Sequence, residues 1–331
     1  MELNKIGLDN LPGPDSVVRY RAERYIGDDQ AAALEEFSQR DRELLLRLYD
    51  VLTAMRDETR AILNELEQSG SARALSTALI SRWRHLLDDF SKEFGTEGRS
   101  DSVSKAIYHD LRGGALPLAD LRVQTMPSDA PAPPEDVYSL FYAVRDQLKI
   151  IRNCIRDIDP PRREHDRNSN SHSMSLLRQK WSDYHSEQLN IDFVSDFDGV
   201  ISSCCLEFSS LDRILYNLIN NALNHAADGF VRVFAKQVGD RGHGDVRFVT
   251  ANQVSDDEAE ALSGKFEHGL GELFLSDFTI GGTGVGLQIV REIVANAYGL
   301  SDGRNVVEEG YVGAELREDV FLCWCHWPIM A

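Results

Sequence analysis

Three short segments of this chain combine residue types that could do chemistry, and the first offers a candidate nucleophile. His109 and Asp110 are adjacent in YHDLRGG, residues 108–114. A neutral imidazole is a competent nucleophile near pH 7, and a carboxylate that accepts its other N–H fixes the tautomer. Taken alone, the pair has two interpretations, since a histidine beside an aspartate is also an ordinary surface feature.

The second segment is a row of asparagines in LYNLINNALNHA, residues 215–226. Asparagine is a poor helix former, so several in one helical stretch need a reason. Asn217, Asn221 and Asn224 are spaced i, i+4, i+7, which places them on one face of a helix. Carboxamides can coordinate a hard cation through oxygen and can hydrogen-bond to a nucleotide. The alternative is a polar face in contact with water.

The third segment is the glycine-rich GGTGVGLQIV, residues 281–290, which runs into an apolar helical pattern. Glycines let backbone N–H groups approach a phosphate, and the N-terminus of the following helix favours negative charge. The spacing is neither a dinucleotide-binding fingerprint nor a Walker loop. A flexible turn is the alternative interpretation.

Composition limits the classes of protein that these segments could serve. The chain has 331 residues, with 35 Lys and Arg against 54 Asp and Glu, so its net charge is −19. Such an acidic chain predicts no nucleic-acid partner. It has no apolar run of the length that spans a membrane, and its five cysteines predict reduced thiols and a cytoplasmic location. We interpret Cys323 and Cys325 as part of an apolar terminal strand rather than a metal site.

Helical periodicity dominates the first half of the chain. It predicts helices at about 30–68, 72–94, 102–121 and 135–158, with a loop at 124–136. Because Gly113, Gly114 and Pro117 disfavour helix, the third of these should bend or loosen just below His109.

The second half alternates short β-rich runs with helices, which predicts an α/β sandwich. Strands are expected at about 191–194, 200–208, 230–236, 246–250 and 320–324, and helices at 174–187, 210–226 and 285–298. The predicted organisation is an N-terminal helical region (1–100), a two-helix region (101–160), a polar linker (161–173) and the α/β domain (174–331).

In this order, the three segments resemble the H, N and G2 boxes of sensor histidine kinases of two-component systems. Phe274 and Phe278 in ELFLSDF resemble the F box of that family. The resemblance covers residues 101–331. It implies an α+β fold in which a two-helix dimerisation hairpin, a four-helix bundle in the dimer, precedes a GHKL-type α/β sandwich that binds ATP.

The resemblance also implies roles for individual residues. His109 would accept the phosphoryl group and Asp110 would act as the base. ATP and Mg²⁺ would be the cofactors, with Asn221 on the metal, Asn217 near the phosphates, and residues 255–281 as a mobile lid. The nucleotide site as a whole would comprise Asn217, Asn221, Asn224, Asn252, Gly282, Thr283, Gly284, Gly286 and Leu287.

Three positions depart from the family pattern. Asn252 stands where the family has the aspartate that accepts from adenine, and the two glycines that follow it are absent. Asn224 stands where a lysine or arginine is common. Gly113 replaces the threonine or asparagine that orients the water for dephosphorylation, which predicts weak phosphatase activity.

The implied partners are an aspartate-bearing receiver domain of a response regulator and a second copy of the chain. In place of the homodimer, helices at 30–94 could cover the hairpin within one chain. Residues 1–100 would extend the bundle or bind a protein that supplies the signal. One alternative function is a non-catalytic phosphotransferase or scaffold with a degenerate ATP-binding domain. Another, a gyrase-like or Hsp90-like ATPase, leaves the His109 helix unexplained.

Overall fold

The fold is known from a computed structural model, which describes most of the chain. The described residues are 7–14, 31–69, 73–95, 102–126, 130–167, 172–182, 190–201, 207–239, 244–263, 265–266, 268–276, 278, 284–300 and 302–329. The chain forms two compact units. One comprises Gly27–Ser169, and the other comprises Asn170–Ala331 together with Met1–Ile26.

The first unit is helical, as its periodicity predicts. Its helices are α1 (Gln39–Ser69), α2 (Thr77–Glu93), α3 (Ser102–Arg112), α4 (Leu116–Thr125), α5 (Pro134–Cys154) and α6 (Pro160–Arg167). Helix α1 begins nine residues later than predicted, after a short 3₁₀ turn at Leu34–Glu36. The hydroxyl of Ser38 accepts from the backbone N–H of Asp41 at 3.1 Å, so Ser38 caps the helix.

The predicted bend below His109 is confirmed as a full break between α3 and α4. Gly114 takes the left-handed backbone conformation that favours glycine, with φ 50°. Gln147 of α5 is buried at this point, and its Oε1 accepts from the backbone N–H of Ala115 at 2.8 Å. The break therefore leaves this N–H satisfied inside the unit.

A helix, α6, occupies part of the predicted polar linker at 161–173. The helix predicted at 135–158 ends at Cys154, and Pro160 and Pro161 begin a new helix, because proline is well tolerated in the first turn. The carboxylate of Asp159 accepts from the backbone N–H of Arg162 at 3.2 Å and caps this helix. The division between the two units nevertheless falls within the same stretch, after Ser169.

The second unit is a sandwich of a five-stranded mixed sheet and a helical layer, with a separate two-stranded antiparallel sheet. Its helices are α7 (Met174–Ser182), α8 (Glu207–Asn224), α9 (Asp256–Leu262), α10 (Gly286–Tyr298) and α11 (Gly303–Glu308). Its strands are β1 (His172–Ser173), β2 (Asn190–Ser195), β3 (Val200–Ile201), β4 (Phe230–Val238), β5 (Asp245–Gln253), β6 (Val312–Arg317) and β7 (Val320–Pro328).

The main sheet has the strand order β2-β4-β5-β7-β6, with β2 and β4 parallel and the other pairs antiparallel. Helices α8 and α10 pack against each other and over this sheet. The strand predicted at 200–208 is wrong at its end, because residues 207–208 begin α8; residues 202–206 lie outside the described part. Strand β6 was not predicted. The turn that joins it to β7 consists of Glu318 and Asp319, which are weak signals for a hairpin turn.

An N-terminal strap, residues 7–14, covers the face of the sheet opposite the helices. Leu8 and Leu11 are buried in a cluster that includes Phe234, Val249 and Trp324. Phe234 pairs with Val249, and Val249 pairs with Trp324, across neighbouring strands. Residues that are paired in this way point to the same face of a sheet, so these three side chains belong to one face. We predicted neither a helix nor a strand for this segment from its sequence. The structure shows that it contributes to the core of the second unit.

Beneath the strap lies a buried polar cluster. Arg247 donates from Nε to Nε2 of His326 at 2.9 Å, and from its other nitrogens to the backbone oxygens of Leu8 and Pro12. Nδ1 of His326 lies 3.4 Å from Oδ2 of Asp245. Burial, together with the charge of Arg247, lowers the pKa of His326 below its usual value.

This lowered pKa predicts a loss of stability in acid. The unfolded chain protonates His326 near pH 6.5, whereas the folded chain does so only at lower pH, so the free energy of unfolding falls as the pH drops below about 6.5. We expect His326→Gln, which keeps an acceptor for Arg247, to show a shallower fall. Urea unfolding at several pH values from about 7.5 to 5.5 measures both slopes. Equal slopes for the two proteins would contradict the assignment.

Two possibilities raised by the sequence can be checked within the described residues. None of the described helices is long and apolar enough to cross a membrane. Cys323 and Cys325 are buried, free thiols of strand β7, and no cluster of three or more potential metal ligands occurs in the described part of the chain.

Candidate active site

His109 lies in the last turn of α3, where its ring is partly open to solvent. The side chain is 21% exposed, and Nδ1 lies 3.6 Å from Oδ1 of Asp110, whose own side chain is buried. Nδ1 is itself buried and makes no hydrogen bond in the described part of the chain. Since Nδ1 is buried and faces a carboxylate, the exposed part of the ring lies among its other atoms, which include Nε2.

The break in the helix borders this histidine directly. The backbone N–H of Gly113 donates to the carbonyl oxygen of His109 at 2.8 Å. A β-carbon at position 113 would lie 3.1 Å from that oxygen and 3.9 Å from Cε1 of the His109 ring. A side chain at this position would therefore lie beside the imidazole, and it would require a small shift of the His109 carbonyl oxygen.

The asparagine row lies on α8 of the second unit, as predicted. Asn217 is buried and donates from Nδ2 to the backbone oxygen of Arg213 at 2.8 Å, one turn earlier. Asn221 is half-buried and Asn224 is exposed. The exposure of the asparagines therefore increases along the helix towards its C-terminal end. A polar face in contact with water, the alternative interpretation, would be exposed along its whole length.

Asn252 joins the end of this row. It lies near the end of β5, and its Nδ2 donates to the backbone oxygen of His225 at 3.2 Å. Its Oδ1 is buried and has no hydrogen-bond partner among the described residues. An unsatisfied buried acceptor costs about 1–3 kcal/mol. A ligand amino group, such as that of adenine, would satisfy this oxygen.

At the same place, His225 and Glu258 form a pair that was not predicted from the sequence. Nδ1 of His225 lies 2.7 Å from Oε1 of Glu258, at the start of α9. Hydrogen bonds from His225 and Ser255 lower the pKa of Glu258 against the opposing effect of burial. The capping box formed by Ser255 and Glu258 is a sequence signal that could have located this helix.

The glycine turn is described only in part. Gly282 and Thr283 lie outside the described residues. Gly284 takes the left-handed conformation, with φ 71°, and Gly286 begins α10. Val285, which precedes the helix, provides no side-chain cap for its first N–H groups. Uncapped N–H groups at a helix N-terminus suit a phosphate.

Two phenylalanines stand near the start of α10. Phe274 is buried, and its backbone oxygen accepts from Arg291 of α10 at 3.0 Å. Phe278 is half-buried, with Nζ of Lys265 3.5 Å from its ring centroid. The segment predicted as a mobile lid, 255–281, contains α9 and a 3₁₀ turn at Leu270–Phe274 in its described parts.

Comparison with protein families gives an independent result for this unit. Residues 208–314 match the family described as "Histidine kinase-, DNA gyrase B-, and HSP90-like ATPase". The second unit carries an ATPase domain of this family. The match begins at the start of α8 and ends within β6, so the ATPase domain includes the asparagine row, Asn252 and the glycine turn.

Similar solved structures are histidine kinase domains. The catalytic domain of histidine kinase ThkA is 17% identical over 49% of this chain and 100% of its own, with a TM-score of 0.33. The histidine kinase domain of the E. coli osmosensor EnvZ is 17% identical over 49% and 89%, with a TM-score of 0.30. The Acinetobacter baumannii histidine kinase AdeS is 12% identical over 67% and 98%, with a TM-score of 0.31.

These likenesses are too distant to bear on function. A search of curated proteins finds no match to the chain.

Proposed function

We propose that this chain is an ATP-dependent protein-histidine kinase. It would transfer the γ-phosphoryl group of ATP to His109 and then pass it to an aspartate of a response-regulator receiver domain. The observation that carries the proposal is the geometry of His109, whose ring is 21% exposed while its Nδ1 is buried 3.6 Å from the carboxylate of Asp110, which leaves Nε2 as the nitrogen available for attack. The ATPase domain match supports the nucleotide half of the reaction.

Both His109 and Asp110 would take part in the transfer, His109 as the nucleophile and Asp110 as the base. Nε2 forms the new N–P bond while the bond from the γ-phosphorus to the bridging oxygen of ADP breaks. The ring then gains positive charge, which the carboxylate of Asp110 stabilises before it accepts the Nδ1 proton. At 3.6 Å the carboxylate is just beyond hydrogen-bond reach of Nδ1, so a small side-chain rotation would bring it to the roughly 2.6–3.2 Å that proton transfer needs.

The asparagine row would hold the nucleotide. Asn221, half-buried and on the same face as Asn217, would ligate Mg²⁺ through its carboxamide oxygen. Mg²⁺ supplies neutralisation of the charge on the transferring phosphoryl group. Asn252 would accept from the adenine amino group through its unsatisfied Oδ1. Gly282, Thr283, Gly284, Gly286 and Leu287, with Asn224, would line the phosphate side.

A second function rests on the same Asn252. Its neutral carboxamide stands where a charged acceptor is expected, and the exposed Asn224 gives the phosphates no positive charge. The alternative is therefore a non-catalytic phosphotransferase, in which His109 receives a phosphoryl group from a receiver domain and the ATPase domain is degenerate.

Incubation with γ-labelled ATP and Mg²⁺ tests the proposal. We expect wild type to take up acid-labile, base-stable label, and His109→Ala and Asn221→Ala to take up none. Circular dichroism of both variants controls for folding. Absence of label from wild type, with uptake at His109 from a phosphorylated receiver domain, would instead establish the phosphotransferase.

Gly113 predicts low phosphatase activity towards the phosphorylated receiver. Glycine has no side chain to orient a water molecule beside the phosphoryl group. A β-carbon at position 113 would lie 3.1 Å from the carbonyl oxygen of His109, so that oxygen must shift by a few tenths of an ångström to admit it. With that shift, Gly113→Asn is expected to raise the rate of receiver dephosphorylation several-fold. Release of inorganic phosphate from phosphorylated receiver measures it, with Gly113→Ala as the matched control. Fast dephosphorylation by wild type would contradict the prediction.

A further inference from the structure

The N-terminal strap, residues 7–14, forms no strand pairing with any described strand of the sheet that it covers. The five strands are hydrogen-bonded to one another from β2 to β6 without it. Residues 8–10 of the strap make a single 3₁₀ turn, in which the N–H of Asn10 donates to the backbone oxygen of Gly7 at 3.0 Å. The strap therefore lies on a sheet whose ladder is complete, and side chains of the sheet hold it there.

Two leucines anchor the strap to the sheet. Because a 3₁₀ helix has about three residues per turn, Leu8 and Leu11 lie on the same side of it. Both are buried against an apolar floor that consists of Phe234, Val249, Ala251, Leu322 and Trp324. Asp9 and Asn10, which lie between the leucines, are exposed. Apolar anchors in a pocket, with the intervening side chains in water, are typical of a bound peptide.

Two arginines of the sheet bind the backbone of the strap. Nη1 of Arg317 donates to the backbone oxygen of Gly7 at 2.9 Å. Nη1 of Arg247 donates to the oxygen of Leu8 at 3.3 Å, and its Nη2 donates to the oxygen of Pro12 at 3.1 Å. Since every residue has a backbone oxygen, these contacts recognise the course of the chain rather than its side chains.

Charge and shape narrow the segments that fit this face. The ammonium group of Lys236 forms an ion pair with the carboxylate of Asp9. At the other end of the strap, a β-carbon on Gly310 would lie 2.8 Å from the backbone nitrogen of Gly13. A β-carbon on Gly13 would in turn lie 2.3 Å from Nη2 of Arg247. Glycine is thus the residue that passes this point without displacing the arginine.

We propose that this face of the sheet is a peptide-binding groove and that residues 7–14 are its ligand, supplied by the same chain. The groove comprises the apolar floor and a basic rim of Lys236, Arg247 and Arg317. Its ligand class is a short segment with two leucines three positions apart, an acidic residue after the first leucine and a glycine two positions after the second. The strap docks and leaves as a unit while the sheet stays folded, so an added peptide of the same pattern can replace it. This binding needs neither ATP nor His109.

Hydrogen exchange on the intact chain tests whether the strap opens separately from the sheet. A segment that leaves by itself exchanges through a local opening with a lower free energy than global unfolding. We expect the N–H groups of Asn10 and Leu11 to exchange faster than those of β5, at a rate that low concentrations of urea do not change. Strap N–H groups with the same protection and the same urea dependence as β5 would overturn the proposal.

Exchange with an added peptide tests the groove directly. A protease recognition sequence inserted after Tyr20 of the full-length chain allows the strap to be cut from the residues that follow it. We expect a fluorescent peptide of residues 5–16 to enter the cut protein, with a rise in anisotropy, and circular dichroism to stay unchanged when the cut fragment leaves. A cut chain that unfolds as the fragment leaves, or a folded one that takes up no peptide, would overturn the proposal.

Two peptides that differ in one position each provide the matched controls. Leu11→Ala should bind about 10- to 100-fold more weakly, because it gives up most of a buried leucine side chain. Asn10→Ala shortens an exposed side chain and should stay within about threefold of the original peptide. The uncut chain should take up little of any peptide, since its own strap is present at a high effective concentration. Equal affinities for the two altered peptides would overturn the proposal.

Discussion

Asp110→Asn is expected to slow phosphorylation of His109 by about 10²- to 10⁴-fold, the usual contribution of a positioned general base. Asparagine keeps the shape of the side chain but cannot accept the Nδ1 proton or stabilise a charged ring as a carboxylate does. The buried carboxylate lies 3.6 Å from Nδ1, and it is the ion-pair partner that the described residues give this ring. Initial rates of label uptake from ATP measure the effect.

The matched control for this change is Asp88→Asn, which removes an exposed carboxylate from α2 of the same unit. We expect it to leave the rate within about twofold of wild type, because the charge of Asp88 is exposed to solvent and therefore screened. If Asp110→Asn reacts as fast as the control and is equally folded, Asp110 is not the base.

The largest expected effect on stability comes from Asp212. Its Oδ1 lies 2.5 Å from Nζ of Lys180, and the two side chains are 0% and 1% exposed. The ammonium group also lies 4.6 Å from the ring centroid of Tyr216 and 4.9 Å from that of Trp181. Because Asp212→Ala leaves a buried ammonium without its counter-charge, it should cost about 3–5 kcal/mol.

The matched control is an exposed ion pair whose basic residue lies on helix α7, as Lys180 does. Arg178 and Asp198 are 40% and 81% exposed, so Asp198→Ala should cost roughly 0–1 kcal/mol. Urea unfolding followed by tryptophan fluorescence gives both free energies. The double change Lys180→Met with Asp212→Leu should recover much of the loss. Equal costs for Asp212→Ala and Asp198→Ala would show that the buried pair contributes little.

The sequence predicts the parts of this fold whose signals are local. Helix α5 follows from its periodic apolar residues, and the break after Arg112 follows from Gly113, Gly114 and Pro117. The asparagine row falls on a helix as expected, since the spacing of Asn217, Asn221 and Asn224 is set by the helix itself.

Other features depend on contacts between distant segments. The strap is short and has no periodicity, and only the sheet face that receives Leu8 and Leu11 gives it a structure. The pair of His225 and Glu258 joins residues 33 positions apart. The unsatisfied Oδ1 of Asn252 arises because its Nδ2 is bound to the His225 backbone, which no sequence pattern reports.

In the proposed kinase, His109 receives the phosphoryl group on Nε2, the nitrogen that is not buried against Asp110. Mass spectrometry of the tryptic peptide 106–112 after incubation with ATP and Mg²⁺ locates the group, and phosphorus NMR of the intact protein identifies the nitrogen. Because Nδ1 is buried against Asp110, we predict one phosphoryl group on Nε2 of His109. A phosphoryl group on Nδ1, or on any other residue, would contradict the account.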